Sequence, residues 1–274
     1  MPESLERPAD LPDYLQPPLD EVVLGVQFTP AHGYQQIFAG QVWDLYRTDF
    51  PVVEEKPPIP PVFETFGIPS IGPMLNVAVM TSPMHSRFWF ISSDKTQLIQ
   101  FQQDRLLHNW RKVGDKSNVY PRFERMIVAF NDELVRLEAY FAGLEPQNLV
   151  CNQAEVSYIN KWLLGPANEV GRASDWLRFV NFDGSEPDDF SVVFRRTLYG
   201  SNGAPIGRLI CETSTLGDAA GGRTGVLTFT VRGPPTGTSL AEAIEFLKLG
   251  RRVIVGEFTA RTTDSAHEKW RRVK

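Results

Sequence analysis

The sequence predicts an α+β fold in which the order strand, helix, antiparallel strands, long helix occurs twice as a tandem pseudo-repeat. Three observations carry this. Two long apolar stripes of helical period lie at 120–144 and 239–262, each late in its half of the chain. Ahead of each stripe stand short apolar runs separated by turn residues, as antiparallel hairpins require. The order of these patterns recurs although residue identity between the halves is weak. The chain therefore divides into an extended arm at 1–18, a first half at 19–148 and a second half at 149–274, the halves expected to share one sheet.

Residues 1–18 are Pro-rich and polar, which predicts the arm. DEVVLGVQFTP (20–30) reads as a strand of β-branched residues ending in a turn-forming Thr-Pro. YQQIFAGQVWDLYRTDF (34–50) has helical period, with Ile37, Val42, Leu45 and Tyr46 near one stripe and Pro51 closing it. PVVEEKPPIPP (51–61) reads as a connector of polyproline character. MLNVAVMTS (74–82), bounded by prolines, reads as a strand. RFWFISSDKTQLIQFQQDRLLHNW (87–110) reads as a hairpin turning at Ser-Asp-Lys. Its outgoing arm breaks alternation, for which a bulge near Asp104-Arg105 accounts. Tyr120-Pro121 opens a helix on which Phe123, Ile127, Phe130, Leu134, Leu137, Phe141 and Leu144 form one stripe, with Gly143 a candidate cap.

The second half follows the same order. LVCNQAEVSYINKWLL (149–164) reads as a strand, and 167–180, with Val170, Trp176, Leu177 and Val180, as a short helix. DDFSVVFRRTLYGSNGAPIGRLICETSTL (188–216) reads as a hairpin, because Asn-Gly supplies the positive φ that tight turns need. GVLTFTVRG (225–233) alternates strictly. SLAEAIEFLKLGRRVIVGEFTART (239–262) carries Leu240, Ile244, Leu247, Ile254 and Phe258 on one helical face. A capping-box pattern at Ser265-Ala-His-Glu268 predicts a last short helix.

Composition narrows the function classes. A chain of 274 residues, 42% hydrophobic, buries a sizeable core without disulfides or metals. Cys151 and Cys211 form no C-x-x-C pair, and His32, His85, His108 and His267 form no H-x-x-x-H, so neither a disulfide framework nor a zinc site is expected. The N-terminus lacks the basic-then-apolar pattern of a signal peptide, and no run approaches 18 apolar residues, so a cytoplasmic protein without membrane or cofactor is expected. The net charge of −5 is uneven: residues 1–64 hold 11 acids and 3 bases. A duplex-DNA binder usually carries a strong basic face, and this chain offers only local ones.

The order of elements resembles the TATA-binding-protein-like and helix-grip folds, a likeness of fold that carries no function. PPLDEVVLGVQF (17–28) together with DRLLHNWRK and YPRFE (104–112, 120–124) resembles a sporadically distributed bacterial protein family of about this length. Its members open with a PPL-x-EVVL-like strand and carry a DR-…-NWR…YP segment. The resemblance covers most of the chain and implies accessory biology, such as phage defence or a toxin–antitoxin pair, with no activity to transfer.

The segment DRLLHNWRK concentrates the polar chemistry. General acid–base work needs a partner within hydrogen-bond reach. On a regular strand Asp104 and His108 stand about 13 Å apart, too far for a dyad. Arg105, His108, Asn109, Trp110 and Arg111 are therefore taken as a candidate binding surface and no residue as catalytic. Exposed aromatics on a sheet stack bases in RNA recognition, which makes Trp89 and Phe101 worth placing. GDAAGGRTG (217–225) lacks the phosphate-loop lysine and leads into a strand, so it reads as a hairpin connection. Arg251-Arg252 and Arg271-Arg272 read as solvated helix charges, with phosphate contact the sharper alternative. The functional expectation is a non-enzymatic binding protein with a protein partner. The alternative is a nucleic-acid or nucleotide binder using the sheet surface, and an enzyme with an unrecognised site between the halves comes third.

Overall fold

A computed structural model describes residues 7–67, 85–164, 172–183, 187–217 and 222–274. The strand expected at 74–82 and residue Val170 lie outside the described residues. Within them the chain forms one antiparallel sheet of nine strands. These are β1 (Leu19–Phe28), β2 (Val52–Lys56), β3 (Arg87–Ile91), β4 (Gln97–Gln102) and β5 (Arg105–Arg111), then β6 (Cys151–Leu164), β7 (Ser191–Tyr199), β8 (Pro205–Gly217) and β9 (Arg223–Gly233). Their spatial order is β2-β3-β4-β5-β1-β6-β9-β8-β7, so β1 and β6 meet in the middle.

Two 22-residue helices, α2 (Phe123–Leu144) and α4 (Leu240–Arg261), cover one face of this sheet. Strand register shows it. Leu24, His108, Val156 and Val231 lie directly across from one another on β1, β5, β6 and β9. His108 touches Glu133 of α2, and a Cβ on Gly250 of α4 would meet Val156 and Val231. Side chains alternate along a strand, so the neighbouring rows point to the other face, which carries no helix among the described residues and is called the helix-free face below. The stripe expected on α2 is buried from Phe123 to Phe141, and only Leu144 at its end is exposed. On α4, Ser239 caps the helix, accepting from the Glu242 amide while the Glu242 carboxylate reaches back. Among the described residues no helix is long and apolar enough to cross a membrane.

Several expectations are corrected. The Pro-rich connector begins as a strand, because Val52–Lys56 pairs with Arg87–Ile91 before the prolines at 57 and 58 remove the next donors. The outgoing arm of 87–110 is two strands, not one bulged strand. Gln102 pairs with Arg105, so Gln103-Asp104 is a two-residue hairpin turn. The helix at 34–50 shortens to a 3-10 turn (Gln36–Phe38) and α1 (Ala39–Asp44), leaving Ile37 exposed. The helix after Tyr120-Pro121 starts at Phe123, since Arg122 turns the chain at φ 76° while pairing with Asp13 at 2.9 Å. The described part of 167–180 holds one turn, α3 (Ala173–Trp176). The last helix, α5 (Asp264–Lys269), is capped by Thr263 rather than Ser265.

The arm is docked along residues 7–18: Leu11 and Tyr14 are buried, and Tyr14 bridges to Arg272. Its ring packs on Phe258, His267 and Trp270. Trp162, Trp176 and Trp270 complete this aromatic corner, which ties α3, α4 and α5 to β6.

Candidate functional site

Strand β5 splits the five residues singled out in the sequence between the two faces. Leu106, His108 and Trp110 point under the helices, and His108 and Trp110 are 1% and 2% exposed. His108 Nδ1 lies 2.9 Å from both carboxylate oxygens of Glu133, and Nε2 lies 3.1 Å from Gln97 Oε1. Phe50 and Phe130 close over the ring edge to face. This is a polar pair buried in the core. Trp110 packs on Tyr120.

Arg105, Asn109 and Arg111 project from the helix-free face. Arg105 is buried there: Nε and a terminal nitrogen donate to the two oxygens of Asp104 at 3.0 and 2.9 Å, clamping the hairpin turn. Asn109 belongs to a hydrogen-bonded chain across four strands. Arg87 and the Trp89 indole both donate to Gln100 Oε1, at 2.6 and 3.0 Å. Gln100 donates to Asn109 at 2.9 Å, and Asn109 donates to Glu21 at 2.6 Å. Lys56, Arg87 and Arg111 stand 4.7, 5.5 and 6.0 Å from the Trp89 ring. Burial, with Arg105 nearby, pulls the Arg87 guanidinium below its ordinary pKa. The two aromatics flagged for base stacking separate: Trp89 is on this face, and Phe101 is buried under the helices opposite Leu106.

What lies over this face was hard to foresee from the residues alone. Residues 57–66 cross it as a strap. Pro57, Pro58, Pro60 and Pro61 hold the segment extended and leave Ile59 and Val62 as the only amide donors between 57 and 62. Both are taken by glutamines of the sheet. Ile59 N–H donates to Gln102 Oε1, whose Nε2 donates back to the Ile59 carbonyl, both at 2.9 Å. Val62 N–H donates to Gln27 Oε1 at 3.0 Å. Farther on, Glu64 pairs with Arg208 at 2.8 Å and with Arg232 at 3.4 Å. Burial lowers Arg232, but Glu155 and Glu64 outweigh it and hold its proton more tightly than usual.

Beneath the strap is a cleft of ≈ 490 Å³ including its mouth. Gly25 forms its floor between Leu107 and Glu155. A Cβ there would come within 3.3 Å of both side chains. At the ends of β6 and β8 away from the strap the same face exposes Leu163 and Leu216, and on β7 it exposes Val193. Among the described residues no three of His, Cys, Asp or Glu gather as a metal would need.

No family model, no curated protein and no solved structure matches this chain.

What the face can do chemically follows from these groups. It offers side-chain amides at strand spacing, matched ion pairs and a few exposed aliphatics, all on a rigid sheet. Such a surface holds main-chain amides of an extended segment.

Proposed function

We propose that this protein is a non-enzymatic binding protein acting through protein–protein contact, and that the helix-free face of the sheet is its recognition surface. The observation that carries this is the grip of Gln102 and Gln27 on the Ile59 and Val62 amides. The face already holds an extended, proline-rich segment by its peptide groups, and an extended segment of a partner would lie farther along the same face, over Leu163 and Leu216. We read the two parts of the chain as a tandem repeat of the kind that TATA-binding-protein-like and helix-grip folds resemble. Support comes from the strand order. β5 and β9, the last strands before α2 and α4, flank the central pair β1 and β6 in the same way.

The test is affinity purification of the tagged chain from its native host, with mass spectrometry of what is retained. Leu163→Asp, at an exposed position, is expected to deplete a stoichiometric protein partner. A partner retained equally by Leu163→Asp and Leu216→Asp chains would remove this face from the account.

A second reading has its own support. Three cations around the Trp89 ring suit a nucleotide base stacked on the indole with its phosphate among them. Nucleic acid in the purified sample, lost with Trp89→Ala and with rising salt, would favour it.

A further inference from the structure

Charges around the cleft under the strap are matched. Arg105 is neutralised by Asp104, and Arg232 by Glu155 and Glu64. One group is not matched. Gln153 lines the cleft, is 5% exposed, and its Oε1 makes no hydrogen bond. It stands directly across from Gln27 in the β1–β6 pairing. Gln27 is fully engaged: it accepts from Val62, and from Arg105 at 3.3 Å, and donates to Asn152 at 2.9 Å. Three glutamines thus sit under the strap, two of them engaged by its peptide groups and the third with a buried oxygen that lacks a donor.

A buried amide oxygen without a donor is disfavoured, and buried polar groups in folded proteins are nearly always paired. A water is one way to satisfy it, and a donor group entering at the mouth of the cleft is another. The two filled glutamines show which group the site takes.

We infer that Gln153 is an open amide subsite that accepts an N–H from the main chain of a neutral, extended peptide segment. The inference rests on the recognition surface proposed above and names the chemistry of its partner. Neutrality follows from the matched ion pairs, which leave no spare charge to recognise an ion. The apolar walls, Leu107, Ile59 and Val62, suit small aliphatic or proline side chains on either side of the amide.

The experiment uses the intact chain and a blocked neutral tripeptide, acetyl-Pro-Val-Phe-amide, with the same peptide N-methylated at valine as control. Binding is followed by NMR titration, and stability by thermal unfolding, for the natural chain and Gln153→Leu. The expected result is that Gln153→Leu melts at a higher temperature, since an unpaired amide gives way to an apolar side chain of similar length. The same variant weakens the tripeptide about tenfold or more, and the N-methylated peptide binds both chains equally weakly. A lower melting temperature with unchanged tripeptide affinity overturns the inference and places a structural water on Oε1. So does the absence of tripeptide binding to the natural chain at millimolar concentration. Should Gln153→Leu still retain a host partner that Leu163→Asp loses, the recognition face stands and only this subsite fails.

Discussion

His108 and Glu133 show what one buried pair contributes. Both nitrogens of the ring face oxygen atoms inside the core. Glu133→Ala leaves Nδ1 without its acceptor, and we expect a loss of roughly 3 kcal/mol in denaturant unfolding. His108→Leu with Glu133→Leu together should recover much of that loss. The signal for this pair was present in the sequence: Glu133 stands beside Leu134 on the apolar stripe of α2, where a carboxylate needs a partner. The period of two placed 106, 108 and 110 opposite 105, 109 and 111. It could not say which set lies under the helices, because a polar His108 sits between Leu106 and Trp110 and an apolar Leu107 sits between Arg105 and Asn109. The two thiols make a second case. Burial pushes Cys151 and Cys211 up to about 12. Neither should react with iodoacetamide in the folded chain at pH 8, and both should react in denaturant. Each keeps its proton longer in the folded chain, so the stability it adds is complete below the ordinary thiol value near 9 and is lost as pH rises toward 12. Thermal unfolding against pH reads this as a falling melting temperature across that window.

Helix α4 separates propensity from packing. Glycine is a poor helix former, so propensity alone favours alanine at both Gly250 and Gly256. Gly250 lies against the sheet, where a Cβ would stand 2.5 Å from Val156 Cγ1, whereas nothing lies within 4 Å of the same atom at Gly256. Gly256→Ala should therefore stabilise by up to about 1 kcal/mol. Gly250→Ala should cost about 1–3 kcal/mol, through overpacking. The two melting temperatures should move in opposite directions; a shared direction would mean that α4 sits farther from the sheet than described. Long elements such as α2, α4 and β6 were legible because their period holds over many residues; on α4 the Ser239 cap agrees with it, whereas Gly143, the candidate cap of α2, falls inside that helix and Glu145 closes it. The β4–β5 turn was not, since Gln103-Asp104 carries none of the glycine that marks a tight hairpin. Strand β2 was hidden for another reason: its pairing with β3 depends on a partner more than 30 residues away, and the flanking prolines suggested a connector.

At the scale of the molecule, one sheet face is covered by two helices, and the other is crossed by a strap of ten residues that leaves Leu163 and Leu216 exposed. The strap was half legible. Its prolines announced an extended segment, but not that it lies on the sheet, because its anchors are glutamines spread over β1 and β4. Gln102→Leu removes both contacts to Ile59. It should cost about 1–3 kcal/mol and expose 57–66 to limited proteolysis at an early time point. If cleavage there is unchanged, the strap is held by other contacts than its peptide groups.

The most direct measurement is site-specific photo-crosslinking in the native host from two exposed positions on opposite sides of the molecule. Leu163 lies on the helix-free face at 81% exposed, and Val135 on the outer side of α2 at 49%. A crosslinker at 163 should yield a discrete protein adduct identifiable by mass spectrometry, and one at 135 should yield none. An adduct from 135 alone, or the same adduct from both, would contradict the claim that this protein recognises its partner through the open face of its sheet.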